Sequence, residues 1–66
     1  MAVARVTTIT ASSTKGFQDA FQVGIERAAQ TLRNITGAEI VSQKAKIVDG
    51  KLSEYRVTMR ITFVLE

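Results

Sequence analysis

The chain has 66 residues, nine Lys or Arg against six Asp or Glu, a formal net charge of +3, and neither cysteine nor histidine. That length holds one domain at most, read here as residues 1–66, and a chain so short buries a smaller fraction of its surface than larger domains do. Without cysteine or histidine there are no disulfides, no thiolate or imidazole zinc sites, and no Cys or Ser–His–Asp nucleophile, so partner subunits are the remaining way to supplement a thin core.

The N-terminal segment Met1-Ala2-Val3-Ala4-Arg5-Val6-Thr7-Thr8 is interrupted by a charge and by threonines before it reaches the apolar length of a signal peptide. No run approaches a membrane span. These features predict a soluble, cytoplasmic protein with no membrane partner. Residues 2–11 are rich in Val, Thr and Ile, whose β-branched side chains favour a strand. Val6 and Ile9 have opposite parity, so either both faces of that strand are covered or a bulge switches its facing.

Ser12-Ser13-Thr14 ends this strand and offers side chains that can cap a helix. From Thr14 to about Asn34, Phe17, Phe21, Ile25, Ala28, Leu32 and Ile35 recur at steps of three and four, the spacing of one helix face. Gly24 within that stretch marks a close approach to the helix, and Gly37 stops it. Residues 38–48 and 51–65 read as two strands around Asp49-Gly50, a pair suited to the positive φ angles of a two-residue hairpin turn. In the last strand Tyr55, Val57, Met59, Ile61, Phe63 and Leu65 alternate with Glu54, Arg56, Thr58, Arg60 and Thr62. One face is therefore apolar and should carry the helix, while the other is polar. The fold class is α+β: a β-α-β-β chain whose three-stranded antiparallel sheet, in order 1-3-2, packs on and partly wraps one helix. Strands 1 and 2 are left with open edges, which neighbouring subunits can protect.

Four segments spread over the chain carry a family resemblance. They are Ser12-Ser13, Glu26-Arg27-Ala28 with Thr31-Leu32-Arg33, Glu54-Tyr55-Arg56-Val57, and Phe63-Val64-Leu65-Glu66. Together with length and element order they resemble the dodecins, small β-α-β-β proteins whose twelve copies form a hollow sphere that binds flavins. The resemblance implies a homo-oligomer, a dodecamer, that stores or sequesters a small molecule, with a flavin (FMN or riboflavin) as cofactor and no catalytic activity.

Two positions depart from the family pattern. The family's stacking tryptophan falls just after the helix, three residues before an aliphatic strand position, which puts Gly37 at its site ahead of Ala38-Glu39-Ile40; the chain has no tryptophan. Flavin-binding relatives commonly have glutamine after the Tyr of the Glu-Tyr pair, where this chain has Arg56. A glutamine amide both donates and accepts, whereas guanidinium only donates, so the flavin N3–H loses its partner. The cofactor-binding residues implied are Gly37, Lys44 and Arg56.

The residues also allow other roles. Arg56 and Arg60 could line a pocket that attracts phosphate, or pair with Glu54, Glu66 or a neighbouring subunit. Lys44 and Lys46 could meet a ligand phosphate, or keep an edge strand soluble. Asp19, Glu26 and Glu39 carry oxygen ligands for calcium without the dense spacing of a calcium loop. The alternatives to storage are an oligomeric module without ligand and a weak nucleic-acid binder; the scattered basic residues do not form the stripe that nucleic acid favours.

Overall fold

A computed structural model describes residues 3–65. The elements run β1 (Val3–Ser13), α1 (Phe17–Ala29), β2 (Ile35–Val48) and β3 (Lys51–Leu65). The sheet is antiparallel in order β1-β3-β2, as the sequence predicts. Ala2, expected at the start of β1, lies outside the described residues.

The core follows from the alternation in β3. Val57, Met59 and Ile61 are fully buried beneath α1, joined by Ala20 and Ala28 of the helix, with Phe17, Phe21, Ile25, Leu32 and Ile35 packed around them and partly exposed. Phe17 and Tyr55 meet edge to face, their ring centroids 5.0 Å apart. Ala20, absent from the helix face read in the sequence, sits at its centre. The bulkier phenylalanines flank it because only small side chains fit where the helix lies closest to the sheet.

Gly24 is that closest point, as expected. A Cβ built on it would stand 2.6 Å from Met59 Cε and 3.0 Å from Ala11 Cβ. With a side chain at residue 24, the Met59 methyl and Ala11 would have to give way, so glycine favours this separation of helix and sheet.

Both helix boundaries differ from the expectation. Extended pairing carries β1 through Ser13, opposite Tyr55, so Ser12-Ser13-Thr14 does not cap α1. The N-cap is Gly16, which makes no side-chain capping bond; the Ser13 hydroxyl instead donates to Asp19 (2.5 Å) and accepts from the Lys15 amide (3.0 Å). This fixes an acidic side chain in the first helical turn, where it complements the helix dipole. At the other end, α1 stops at Ala29 rather than near Asn34. The amides of Thr31 and Leu32 both bond to the Ala28 carbonyl, and Asn34 takes the left-handed conformation (φ 61°) expected at Gly37. A short amide side chain tolerates that conformation. Ile35 and Gly37 consequently belong to β2, and Gly37 has no positive φ.

The hairpin turn is as expected, with Asp49 at φ 52° and Gly50 at φ 74° between the paired residues Val48 and Lys51. β1 pairs with β3 without a break in register, so the change of facing between Val6 and Ile9 comes from parity and not from a bulge. Ile9 opposes Met59 on the helix side and Val6 opposes Thr62 on the other, exposed face. β2 is irregular, with register shifts between Ile35 and Gly37, Ile40 and Ser42, and Lys46 and Ile47.

Met59→Lys should abolish folding, since an unpaired ammonium in this fully buried position costs several kcal/mol, comparable to the whole stability of a small domain. Gly24→Ala gains about 1 kcal/mol of helix propensity but overpacks against Ala11 and Met59 at a cost of about 1 to 3 kcal/mol, so it should lower stability by at most about 2 kcal/mol, and Gly24→Leu, with a larger side chain at the same contact, should lower it further. Chemical denaturation checks this; an unchanged midpoint for Gly24→Leu contradicts the close approach.

Candidate functional site

The sheet face turned away from α1 is built by direct cross-strand pairing, which puts opposed residues on the same side. Ser12, Arg56 and Lys44 form one row across the three strands, Thr10, Thr58 and Ser42 the next, and Thr8, Arg60 and Glu39 the third. The rows are tied together by polar contacts. The Thr10 and Thr58 hydroxyls share a hydrogen bond of 3.1 Å, Arg56 Nη2 donates to Glu54 Oε2 at 3.2 Å, and Arg60 Nη1 donates to Glu39 Oε1 at 3.5 Å. The Ser12 hydroxyl and then the Arg56 guanidinium hold the Glu54 carboxyl below its ordinary value of 4.5, with smaller help from the charge of Lys46.

Of the three residues implicated by resemblance, the structure brings two together. Lys44 and Arg56 are cross-strand neighbours, and with Ala45 and Lys46 they line an open hollow of about 340 Å³. Gly37 is not part of it. It pairs with Thr62, six residues along β3 from Arg56, or roughly 20 Å at the rise of an extended strand. A Cβ on Gly37 would meet nothing within 4 Å. The space a larger side chain would occupy there is open.

Arg56 and Arg60 each have a carboxylate partner within the chain. Glu54 was foreseeable for Arg56, whereas Glu39, the partner of Arg60, was read in the sequence only as an oxygen ligand. Counting back from the two-residue hairpin already puts Glu39 opposite Arg60, because the two β2 register shifts between them cancel, so this pairing was open to the sequence reading. Ser12, read as a helix cap, serves Glu54 instead. Asp19, Glu26 and Glu39 do not converge, and no group of three potential metal ligands occurs among the described residues. No helix among those residues is long and apolar enough to cross a membrane.

One helix on one face of a three-stranded antiparallel sheet, with a hydroxyl-rich and charged opposite face and two open edges, defines a class of small β-α-β-β subunit modules. The chain belongs to the dodecin family, whose sequence model, described as Dodecin, matches residues 3–66. Among solved structures it is similar to the dodecin from Streptomyces davaonensis (37% identity over 98% of this chain and 96% of that one, TM-score 0.94). It is also similar to the dodecin from Streptomyces coelicolor, at 31% identity over 98% and 93% of the two chains, TM-score 0.94. A Thermus thermophilus dodecin carrying a tryptophan-to-phenylalanine substitution matches at 27% identity over 100% and 98%, TM-score 0.94. A comparison with curated proteins found no match.

The depressed Glu54 carboxyl contributes stability that is complete above its ordinary value and lost as pH falls through its lowered value in the folded protein. Glu54→Gln should therefore melt below the wild type at about pH 7, with the difference shrinking as pH falls below the ordinary carboxyl value. A difference in melting temperature that does not change with pH contradicts the assigned contacts.

Proposed function

We propose that the chain is a subunit of a dodecin-type shell, one domain over residues 1–66, in which twelve copies enclose a hollow that stores or sequesters a small molecule. It has no catalytic role in this reading and works in the cytoplasm. The observation that carries the proposal is the one-sided sheet: only three residues of β3 are fully buried, both outer strands have open edges, and Val3, Val6, Ile40, Val41 and Leu65 remain exposed in the single chain. Burying such a side chain contributes ~1.5 to 3 kcal/mol, so a few of them per contact drive assembly. Closed assembly also removes the free edges.

The ligand site differs from a paired flavin stack. Gly37 supplies no ring for an isoalloxazine to stack on, and Arg56 offers donors only. Because Gly37 and the Lys44–Arg56 row lie farther apart than one flavin ring system reaches, a site using both would take them from two subunits. The three cations at the hollow, Lys44, Lys46 and Arg56, favour a ligand with phosphate or another anionic group. FMN or riboflavin binding is weak or absent in this reading.

Light scattering after size exclusion should give about twelve chain masses; a stable folded monomer at micromolar concentration sinks the proposal. Mass spectrometry of small molecules extracted from freshly purified shell should identify an anionic ligand, and a shell that is consistently empty favours a structural role. The double variant Gly37→Trp, Arg56→Gln should gain riboflavin affinity by about one to two orders of magnitude, since stacking on an aromatic ring is worth ~1 to 3 kcal/mol. Gly37 has an ordinary strand conformation with open space at Cβ, so tryptophan enters without backbone strain. Riboflavin fluorescence quenching reads the effect; tight quenching by the wild type, or none by an assembled double variant, overturns the role given to these two positions.

A further inference from the structure

The end of the β2–β3 hairpin stands apart from the rest of the molecule. β1 pairs with β3 only from Tyr55 onward, so the segment from Lys46 to Glu54 is a two-stranded ribbon with no third strand beside it. Isolated two-stranded hairpins are marginal in water. This one also carries three large apolar side chains in the open: Ile47 (56% exposed), Val48 (46%) and Leu52 (56%). A tip that is both structurally weak and apolar requires a cover.

A complementary surface exists on the same chain. Between the edge strand β1 and α1 runs a groove of about 460 Å³, whose walls include Ile9, Ala11, Val23, Gly24 and Leu32, with Arg27 at its rim. The volume suits two or three branched aliphatic side chains. Charge also matches, because Asp49 leads the hairpin turn while Arg27 guards the groove, and neither has an ion-pair partner among the described residues. Lys46 and Lys51 flank the tip behind Asp49, and Glu54 closes its base. The hollow on the other side of the helix is less suitable, for it is lined by Gln18, Phe21, Gln22, Ile25 and Glu26, and Glu26 would oppose Asp49.

We infer that the β2–β3 hairpin tip of one subunit docks into the β1–α1 groove of a second copy, with the cross-strand pair Ile47 and Leu52, which share one face of the ribbon, against Val23 and Leu32 and with Asp49 facing Arg27. The two surfaces are different parts of the chain, so the contact is head to tail. Repeated head-to-tail contacts close into a ring when the rotation permits and otherwise give open filaments. The inference rests on the proposed shell and adds to it which surfaces join the subunits.

The absence of cysteine allows a direct test. Val23→Cys and Leu52→Cys are made in separate chains, one tagged for mass, co-assembled, and treated with a short bis-maleimide. The expected product is a covalent heterodimer of tagged and untagged chains in assembled protein. Should Val23→Cys disturb assembly, Thr31→Cys on the same groove takes its place. Three outcomes overturn the inference while leaving the shell intact: assembly without the heterodimer, cross-linking of Leu52→Cys chains to each other, or capture by Ile25→Cys in preference to the β1–α1 groove. A monomer by light scattering removes the shell and the docking contact together.

Discussion

A helix of thirteen residues is about 20 Å long, while a strand of fifteen extends for about 50 Å. The molecule reflects the longer element, measuring 52 × 19 × 13 Å. One short helix cannot cover one face of such a sheet, and its position is set by the contact of Gly24 with Met59 and Ala11. That contact draws α1 over β1 and β3 and leaves β2 largely bare, so Ile40 stays exposed although it lies opposite the fully buried Met59. The uncovered apolar side chains, the free hairpin tip and the open β1–α1 groove all follow from this mismatch. Assembly is the remedy available to a chain without disulfides or metal ligands of the zinc type.

The face away from the helix obeys a different constraint. Its arginines are paired locally, Arg56 with Glu54 and Arg60 with Glu39, but these pairs are exposed, with about half of each arginine side chain in contact with solvent. Exposed pairs of this kind contribute little to stability. Arg56 can therefore leave Glu54 for an anionic ligand at small cost, particularly since the Ser12 hydroxyl also stabilises the Glu54 carboxylate. Internal pairing and ligand binding are compatible roles for the same guanidinium. Lys44 and Lys46 keep that end of the face positive when Arg56 moves.

Much of the fold was legible because it rests on periodicity and turn chemistry. The alternation from Tyr55 to Phe63 identified the buried face of β3, and Asp49-Gly50 located the hairpin. The helix ends were harder to read, because Ser12, Ser13 and Leu32 satisfy helical patterns while tertiary pairing and the Asn34 turn decide the boundaries. The face was legible only in part. Counting back from a plain two-residue hairpin puts Lys44 opposite Tyr55, on the helix side; the shift between Lys46 and Ile47 moves it opposite Arg56. The second shift, around Val41, then returns the register so that Glu39 meets Arg60. Residue types encode the strands, but an extra residue in one strand is a property of the pair and leaves little mark in the sequence.

In the proposed shell, the separation between Gly37 and Arg56 would link ligand binding to assembly. A ligand that draws on Gly37 from one subunit and Arg56 from another binds only where subunits meet, and by mass action it stabilises that contact. A stacking ring at position 37 would add such a term to the cohesion of the proposed shell. With glycine at position 37 the proposed shell has no such ring, and its contacts would have to hold without it. Apolar surface is the main source of such contacts, and in this chain it is concentrated where the sheet outruns its helix, at Ile47, Val48 and Leu52. In the proposed shell, the open position at Gly37 and the bare hairpin tip thus bear on one question, how the subunits would stay together: the first offers a ligand no ring to stack on and the second offers apolar surface to a neighbour.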